Sequence, residues 1–167
     1  MMKYGKVKTI CFLGVLTALY VVLSAFLKIN LIGNIQIDLG YLAFAVALCQ
    51  FGPWGTIVGV VGCSLESILF SSYGFSVSWA VANLIIGLAC GFAFMHIKKT
   101  WLMIIITALA CTVGLLCVKT GIECILYSIP LVVKIPKNAV ACGVDFVVMT
   151  LGLFFNRVLL SRIKTFA

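Results

Sequence analysis

The sequence predicts an all-α integral membrane protein, a bundle of six transmembrane helices with both ends in the cytoplasm. Hydrophobic residues make up 64% of its 167 residues and charged residues only 10%, whereas a soluble domain is about 45–50% apolar and about 25% charged. The apolar residues also fall into runs, and a transmembrane helix needs about 20 residues. Twelve basic and four acidic side chains are too few to cover the surface of a water-soluble protein of this length.

Six apolar runs follow one another along the chain. The polar stretch 28–38 separates the first run from the second, Pro53 separates the second from the third, and a Ser/Gly turn at 71–74 follows the third. Pro130 and Pro136 interrupt the apolar stretch between the fifth and sixth runs. Because unpaired backbone groups are not tolerated in lipid, each run is expected to be helical. We predict one domain with spans at about residues 9–27, 39–51, 54–70, 76–95, 101–118 and 139–160.

The basic residues indicate the orientation of these spans, since cytoplasmic segments are enriched in Lys and Arg. With both ends inside, eight of the twelve basic residues lie on the cytoplasmic side: Lys3, Lys6, Lys8, Lys98, Lys99, Arg157, Arg162 and Lys164. The other four lie outside: Lys28, Lys119, Lys134 and Lys137. The net charge of +8 is therefore a signal of topology in a cell membrane, and the basic residues form no patch for nucleic acid.

Polar groups in or beside the predicted spans fall towards the outer side. A charged group inside a bilayer costs at least about 2.5–3.5 kcal/mol on insertion scales, so such groups usually face a cavity and mark function. We therefore expect a small-molecule site that opens to the outside. Its candidate residues are Asp38, Glu66, Trp79, Asn83, Lys119, Glu123, Lys134, Lys137, Asn138 and Asp145.

A structural role is the alternative for each of these groups, because ion pairs also place charges in membranes. Lys119 could pair with Glu123, four residues further on. Lys137 could pair with Asp38 or Asp145 between helices.

Glu66, Trp79 and Asn83 are the strongest individual candidates for ligand binding, since no basic residue is close to them in sequence. Trp79 and Asn83 are four residues apart and so share a helix face. A carboxylate, an amide and an indole can recognise an amine or an amino-heterocycle by hydrogen bonds and stacking.

The sequence lacks the sets of residues that catalysis would need. His96 is the only histidine and lies close to Lys98 and Lys99 at the predicted membrane surface, and the eight cysteines form no C-x-x-C pair. No Walker-type G-x-x-x-x-G-K-[ST] motif is present, so this chain does not bind ATP through a P-loop. We therefore expect neither an enzyme nor a bound metal or other cofactor.

Small residues at helical spacing mark places where helices can approach each other closely. Gly14 and Ala18 form such a pair in the cytoplasmic half of the first span. This pair could pack against the protein's own helices or serve as a docking face for a partner protein. The glycines of the third and fourth spans are expected to pack internally: Gly55, Gly59, Gly62, Gly87 and Gly91.

Several short sequences have the order and spacing of one known family. They are Leu23-Ser24, IQIDLGYL at 35–42, FGPWG at 51–55, Leu69-Phe70 followed by Gly87-Leu88 and Gly91, and Lys134 with Lys137-Asn138. Over roughly residues 9–160 the chain resembles the substrate-binding S components of energy-coupling factor (ECF) vitamin transporters, and the folate-type S components in particular. F-G-P-W and K-N are the most specific of these matches.

The resemblance implies a helical subunit that binds a vitamin-like compound near the extracellular side. It also implies partner chains, namely a transmembrane coupling subunit and two ABC ATPases, which supply the energy for uptake. The Gly14/Ala18 pair would contact the coupling subunit.

This chain departs from the folate-type pattern at positions that bear on the ligand. Ala25 stands where folate-type members often carry Arg, Cys63 where they often carry Asp, Glu66 where they often carry Gly, and Asn83 where they often carry Ala. The site has thus lost a partner for an anion and gained a carboxylate and an amide. We expect a pterin- or deazaguanine-like base, such as a queuosine precursor. Folate is the alternative, which Lys134 and Lys137 favour.

Two other classes of protein stay open. A small structural or assembly membrane protein would pair its outer polar groups and leave no cavity, whereas an S component needs a pocket of roughly a few hundred cubic ångströms. A stand-alone secondary transporter would usually show an internal repeat with polar groups near the midplane, and the sequence shows no such repeat.

Overall fold

A computed structural model describes residues 6–26, 29–31, 35–70, 75–97, 99–128 and 130–165, with side chains for all of these except 29–31, 35–37 and 159–165. The helices of this part of the chain are α1 (Lys6–Phe26), α2 (Gly40–Phe51), α3 (Thr56–Phe70), α4 (Val77–His96), α5 (Thr100–Tyr127) and α6 (Leu131–Thr165). A short antiparallel hairpin of β1 (Ile29–Leu31) and β2 (Ile35–Ile37) lies between α1 and α2.

Within the described residues, five stretches are long and apolar enough to cross a membrane: Lys6–Phe26, Gly40–Phe70, Val77–His96, Thr100–Tyr127 and Leu131–Val158. They confirm the coarser prediction of a helical membrane protein. The second stretch contains both α2 and α3. These helices are only about 18 and 22 Å long at 1.5 Å per residue, and each is shorter than the roughly 30 Å hydrocarbon core. The count of six spans and the cytoplasmic position of both ends therefore stay predictions.

α2 and α3 fold back on each other at a 3₁₀ turn, Gly52–Gly55. A Cβ atom on Gly55 would lie 2.6 Å from the carbonyl group of Ala47, and one on Gly59 would lie 2.6 Å from the ring of Phe44. Gly55 and Gly59 therefore lie next to residues of α2, which is possible only if the chain reverses direction between the two helices. α2 and α3 thus run antiparallel, and the reversal falls at the boundary that the sequence predicts.

α2 is the central helix of the bundle and packs against α1, α3, α4 and α6. Tyr41, Phe44 and Leu48 are fully buried. A Cβ atom on Gly152 of α6 would lie 2.7 Å from the methyl group of Ala45, so the small residues let these two helices approach closely. This packing fixes the start of α2, where the candidate site begins.

α5 continues beyond the predicted fifth span. Its middle part, Thr112–Lys119, is π-helical, and the helix runs on to Tyr127 instead of ending near residue 118. The hydroxyl group of Thr120 donates a hydrogen bond to the carbonyl oxygen of Leu115 over 3.1 Å. The polar residues that follow the predicted fifth span therefore lie on the continued helix.

α6 begins at Leu131, ahead of the predicted start at about residue 139, and contains Pro136. A proline inside a helix removes a hydrogen bond and crowds the carbonyl group four residues earlier. Here that carbonyl group belongs to Val132 in the first turn of α6. Few backbone hydrogen bonds of the helix precede this point, so the proline disturbs few of them. The proline therefore does not end the helix as the sequence suggests.

Internal packing of the glycines in α3 and α4 is confirmed. Gly62 lies against the ring of Tyr20, Gly87 against the side chain of Thr56, and Gly91 against the backbone of Pro53. Gly14 of α1 differs from them, because nothing lies within 4 Å of the position that a Cβ atom would take. Gly14 and Ala18 are both exposed.

Candidate ligand-binding site

The polar residues predicted from the sequence meet at one end of the bundle, which we call the polar end. Asp38 precedes α2 and Glu66 lies near the end of α3, and these two ends are adjacent because the helices are antiparallel. α4 starts from this end. Lys119 of α5 lies on Trp79 of α4, so the second half of α5 and the start of α6 belong to it as well.

Asp38 ties the β-hairpin and α2 to α1. Its carboxylate accepts hydrogen bonds from the Ser24 hydroxyl group, from the backbone N–H of Gly40 over 2.8 Å and from the Tyr20 hydroxyl group over 3.0 Å. Burial raises the pKa of Asp38 above its usual value, and the three hydrogen bonds lower it only in part. The charge of Glu66 nearby also raises this pKa.

Trp79 and Asn83 share one helix face, as predicted, and both contact Tyr41. The Tyr41 hydroxyl group donates a hydrogen bond of 2.7 Å to Asn83 Oδ1, and Asn83 Nδ2 donates one of 3.4 Å to the carbonyl oxygen of Gly59. The centres of the Tyr41 and Trp79 rings are 6.2 Å apart. Asn83 is fully buried, so these bonds give its amide group a structural role in joining α2, α3 and α4.

Glu123 belongs to a network between α5 and α6. Lys134 Nζ lies 3.0 Å from Glu123 Oε2. Asn138 Nδ2 donates hydrogen bonds to Glu123 Oε2 over 3.3 Å and to Thr120 Oγ1 over 2.9 Å. Among the described residues, Lys134 forms the ion pair with Glu123, and Lys119, the partner in the structural alternative, lies within electrostatic reach of Glu123.

Lys119 and Asp145 have side chains of opposite charge, and they share no hydrogen bond in the described part of the chain. Lys119 Nζ lies 3.6 Å from the centre of the Trp79 ring, an arrangement in which the ring attracts the cation. Asp145 is fully buried, and neither of its carboxylate oxygens has a hydrogen-bond partner among the described residues. Its charge and that of Lys119 are within electrostatic reach of each other.

The two remaining candidates lie in different surroundings. Glu66 is half-buried and within electrostatic reach of Asp38 and Cys63. Lys137 is exposed on the early part of α6.

Sequence reasoning missed Tyr20, Ser24 and Tyr41, because each lies in an apolar run and looks like part of a hydrophobic face. A signal was present, since Tyr20 and Ser24 are four residues apart and therefore lie on one face of α1. A buried tyrosine also needs a partner for its hydroxyl group. In all three residues the hydroxyl group is used to hold Asp38 or Asn83.

An apolar groove of about 400 Å³ lies between α3 and α4, away from these groups. It is lined by Pro53, Trp54, Thr56, Ile57, Val60, Val61, Leu84 and Leu88. None of the predicted ligand-binding residues lines it. A ligand pocket at the polar end stays a prediction.

Among curated proteins, the chain is similar to members of the UPF0397 group. It is 33% identical over 92 residues to a UPF0397 protein of Streptococcus thermophilus, and the aligned region covers 54% of this chain and 50% of that protein. It is 36% identical over 90 residues to a UPF0397 protein of Enterococcus faecalis, and this aligned region covers 52% of this chain and 48% of that protein. The chain thus spans about half the length of the curated relatives it matches.

Among solved structures, the fold is similar to two S components. The S-component for biotin from an ECF-type ABC transporter has a TM-score of 0.69 and 19% sequence identity, over 96% of this chain and 95% of that chain. FolT bound with folic acid has a TM-score of 0.71 and 21% identity, over 92% of each chain. At these identities the likeness shows the fold alone.

A family model described as "ECF-type riboflavin transporter, S component" matches residues 4–151. The resemblance to ECF S components is confirmed by this match, and the narrower likeness to the folate type stays a prediction. The description is that of a transporter subunit and not of an enzyme, in agreement with the lack of a catalytic set in the sequence. The chain therefore belongs to the family of ECF-type riboflavin transporter S components.

Proposed function

We propose that the chain is the substrate-binding subunit of an ECF-type ABC importer in the bacterial plasma membrane. It captures a vitamin-like small molecule from outside for ATP-driven uptake. The observation that supports this most is the polar end, where Lys119 lies on the Trp79 ring and the buried Asp145 is within electrostatic reach of Asp38 and Lys119. Family membership and the S-component fold agree with it.

The proposed ligand is a pterin- or deazaguanine-like base, such as a queuosine precursor, with folate as the alternative. Trp79, Lys119, Asp145 and Glu66 are proposed to contact it. Six further residues are proposed to complete the site or hold it in shape: Asp38, Asn83, Glu123, Lys134, Lys137 and Asn138. Glu123, Lys134 and Asn138 already bind one another, so we assign them mainly to the frame of the site.

The proposed partners are a transmembrane coupling subunit and two ABC ATPases, and the proposed docking face is the Gly14/Ala18 pair. Both residues are exposed, and the space next to Gly14 is open. Packing within this chain, the other explanation of the pair, is therefore not observed among the described residues. Small residues leave room for the backbone of a partner helix.

Mass spectrometry of the molecule that co-purifies with the protein tests the ligand. We expect a heterocycle of vitamin size, and we expect Trp79→Ala and Glu66→Gln to lower its occupancy. Leu126→Ala, a truncation of an exposed side chain in α5, is the control that keeps it. Recovery of no small molecule from well-folded protein, or equal occupancy in all variants, would show that the site is assigned wrongly.

Co-purification with the coupling subunit and the ATPases tests the docking face. Gly14→Leu and Ala18→Leu should abolish the association while leaving the ligand bound. Gly143→Leu is the matched control, because Gly143 is also exposed and has open space around the position of a Cβ atom. An assembly that survives enlargement at both positions 14 and 18 contradicts the proposal.

A further inference from the structure

We infer that the polar end recognises a flat heterocycle whose edge carries a carbonyl group followed by two hydrogen-bond donors, a ring N–H and an amino group. Pterins and deazaguanines share this edge, whereas the flavin ring carries a second carbonyl group in place of the amino group. The inference rests on the proposed function, because it names the ligand chemistry of the same site.

Asp145 supplies two acceptors. Its side chain is fully buried, and neither oxygen accepts a hydrogen bond within the described chain. A buried acceptor without a partner is costly, so an occupant that supplies donors is stabilised there. One carboxylate can accept two parallel N–H bonds, as it does from an arginine fork. The complementary ligand therefore presents two adjacent donors.

Lys119 supplies the donor for the carbonyl group. It is 8% exposed, and its ammonium group lies on the Trp79 ring within electrostatic reach of Asp145. The nearby carboxylate of Glu123 is already bound to Lys134. An ammonium group donates hydrogen bonds and accepts none, so it matches a ligand carbonyl and also balances the charge of Asp145.

Trp79 supplies the stacking surface. Trp79 is partly exposed, and the centre of its ring lies 6.2 Å from the centre of the Tyr41 ring. A heterocycle that stacks on this ring takes the place of the Lys119 ammonium group, which then turns to the ligand carbonyl.

The flavin edge does not fit this arrangement. Its order is carbonyl, N–H, carbonyl, so one carbonyl oxygen would face a carboxylate oxygen of Asp145. Two acceptors in contact repel each other, and a buried site built for donors strongly rejects an analogue that lacks one. The chain should thus discriminate against the compound that its family's description names.

A matched pair of compounds tests the inference by isothermal titration to the purified full chain. Pterin carries the proposed edge, and lumazine is the same bicycle with a carbonyl group in place of the amino group, as in flavins. We expect pterin to bind at least about a hundredfold more tightly than lumazine. Affinity for lumazine or riboflavin that equals or exceeds affinity for pterin overturns the inference, as does the lack of saturable pterin binding.

Asp145→Asn tests the residue. An amide offers one acceptor and one donor, so the variant should lose most of the preference for pterin and gain affinity for lumazine. Leu126→Ala is the control, because it truncates an exposed side chain of α5 that lies outside the proposed site. It should keep the ratio of the two affinities. A ratio that Asp145→Asn leaves unchanged contradicts the assignment.

A second measurement covers the case in which Asp145→Asn does not fold. In the variant Trp54→Phe/Trp101→Phe, which replaces two exposed tryptophans, Trp79 is the only fluorophore of its kind. Pterin should quench its fluorescence, and lumazine at the same concentration should not. If instead riboflavin or biotin binds and depends on Trp79, the proposed function stands and this inference fails. If no vitamin binds and no ATPase associates, both fail.

Discussion

Tyr41 brings a hydroxyl group into the interior of the bundle, where water does not reach it. Its hydrogen bond to Asn83 joins two fully buried groups, and Asn83 has no water to replace a lost donor. The phenol of Tyr41 therefore holds α2 to α4 by a polar contact that an apolar ring would not supply.

Tyr41→Phe should lower the free energy of unfolding by about 1–3 kcal/mol, the cost of leaving a buried acceptor unpaired. Tyr127→Phe is the matched control, since that side chain is 58% exposed, and it should change little. Chemical unfolding in detergent measures both. Equal stability of the two variants would show that the Tyr41 hydroxyl group contributes nothing.

Asp38 should make stability depend on pH. The pKa of its carboxyl group is higher in the folded chain than its usual value because of burial, so the folded chain binds more protons than the unfolded one. The stabilising contribution is then complete below the usual value of about 4 and is lost as the pH rises through the raised pKa. Asp38→Asn removes this titration.

We expect the melting temperature of the wild type to fall relative to that of Asp38→Asn as the pH rises above about 4. Thermal unfolding in detergent across this range measures the difference. A wild type that gains stability over the variant with rising pH would mean that the hydrogen bonds from Ser24, Gly40 and Tyr20 outweigh burial.

At the residue scale, charge and position predicted much of the candidate site. Charged side chains are rare in apolar runs, so Glu66 and Asp145 stood out in the sequence. The pairing of Glu123 with Lys134 could not be predicted, since it depends on how two helices face each other. Tyr20 and Tyr41 were hidden because a tyrosine in an apolar run gives no sign of where its hydroxyl group points.

At the scale of elements, the α2–α3 hairpin depends on glycine. A Cβ atom on Gly55 would lie 2.6 Å from backbone atoms of Ala47, and backbone cannot move aside as a flexible side chain can. The hairpin therefore closes only because no side chain is present at this position.

Gly55→Ala should destabilise the protein by about 1–3 kcal/mol through overpacking. Gly143→Ala in α6, where nothing lies within 4 Å, should be neutral or stabilising by up to about 1 kcal/mol. Unfolding in detergent compares the two substitutions in one experiment. Similar effects at both positions would contradict the close approach of α2 and α3.

Periodicity and length predicted the helices better than their ends. The sequence places the end of the fifth span near residue 118 because Lys119 and Glu123 are charged, but the helix continues through a π-helical segment to Tyr127. Pro136 looks like a helix breaker, yet it lies early enough in α6 to be tolerated. Charge and proline are local signals, and tertiary packing overrides both here.

At the scale of the whole molecule, the depth of the Gly52–Gly55 turn decides the number of spans. Six spans bring this turn to the cytoplasmic surface, whereas a hairpin that enters and leaves from one side keeps it inside the bilayer. Trp54 of this turn is 65% exposed, and tryptophan favours membrane interfaces.

We expect a cysteine introduced by Trp54→Cys, in a chain whose native cysteines are replaced by alanine, to react with a membrane-impermeant maleimide in inside-out vesicles. A fluorescent reporter at the carboxyl end should lie on the same side. The absence of labelling in either orientation would rule out the six-span topology, and labelling from the opposite face would rule out the cytoplasmic position of both ends.

α1 carries Gly14 and Ala18 on one face and Tyr20 and Ser24 on another, and the latter two bind Asp38. A partner that turns α1 about its axis therefore pulls on the junction between the β-hairpin and α2. Thermodynamic reciprocity then applies: the factor by which docking changes ligand affinity is the factor by which the ligand changes docking. Under the proposed function, loaded and empty subunits would therefore differ in their affinity for the coupling subunit, and α1 would carry that difference from the ligand site to the docking face.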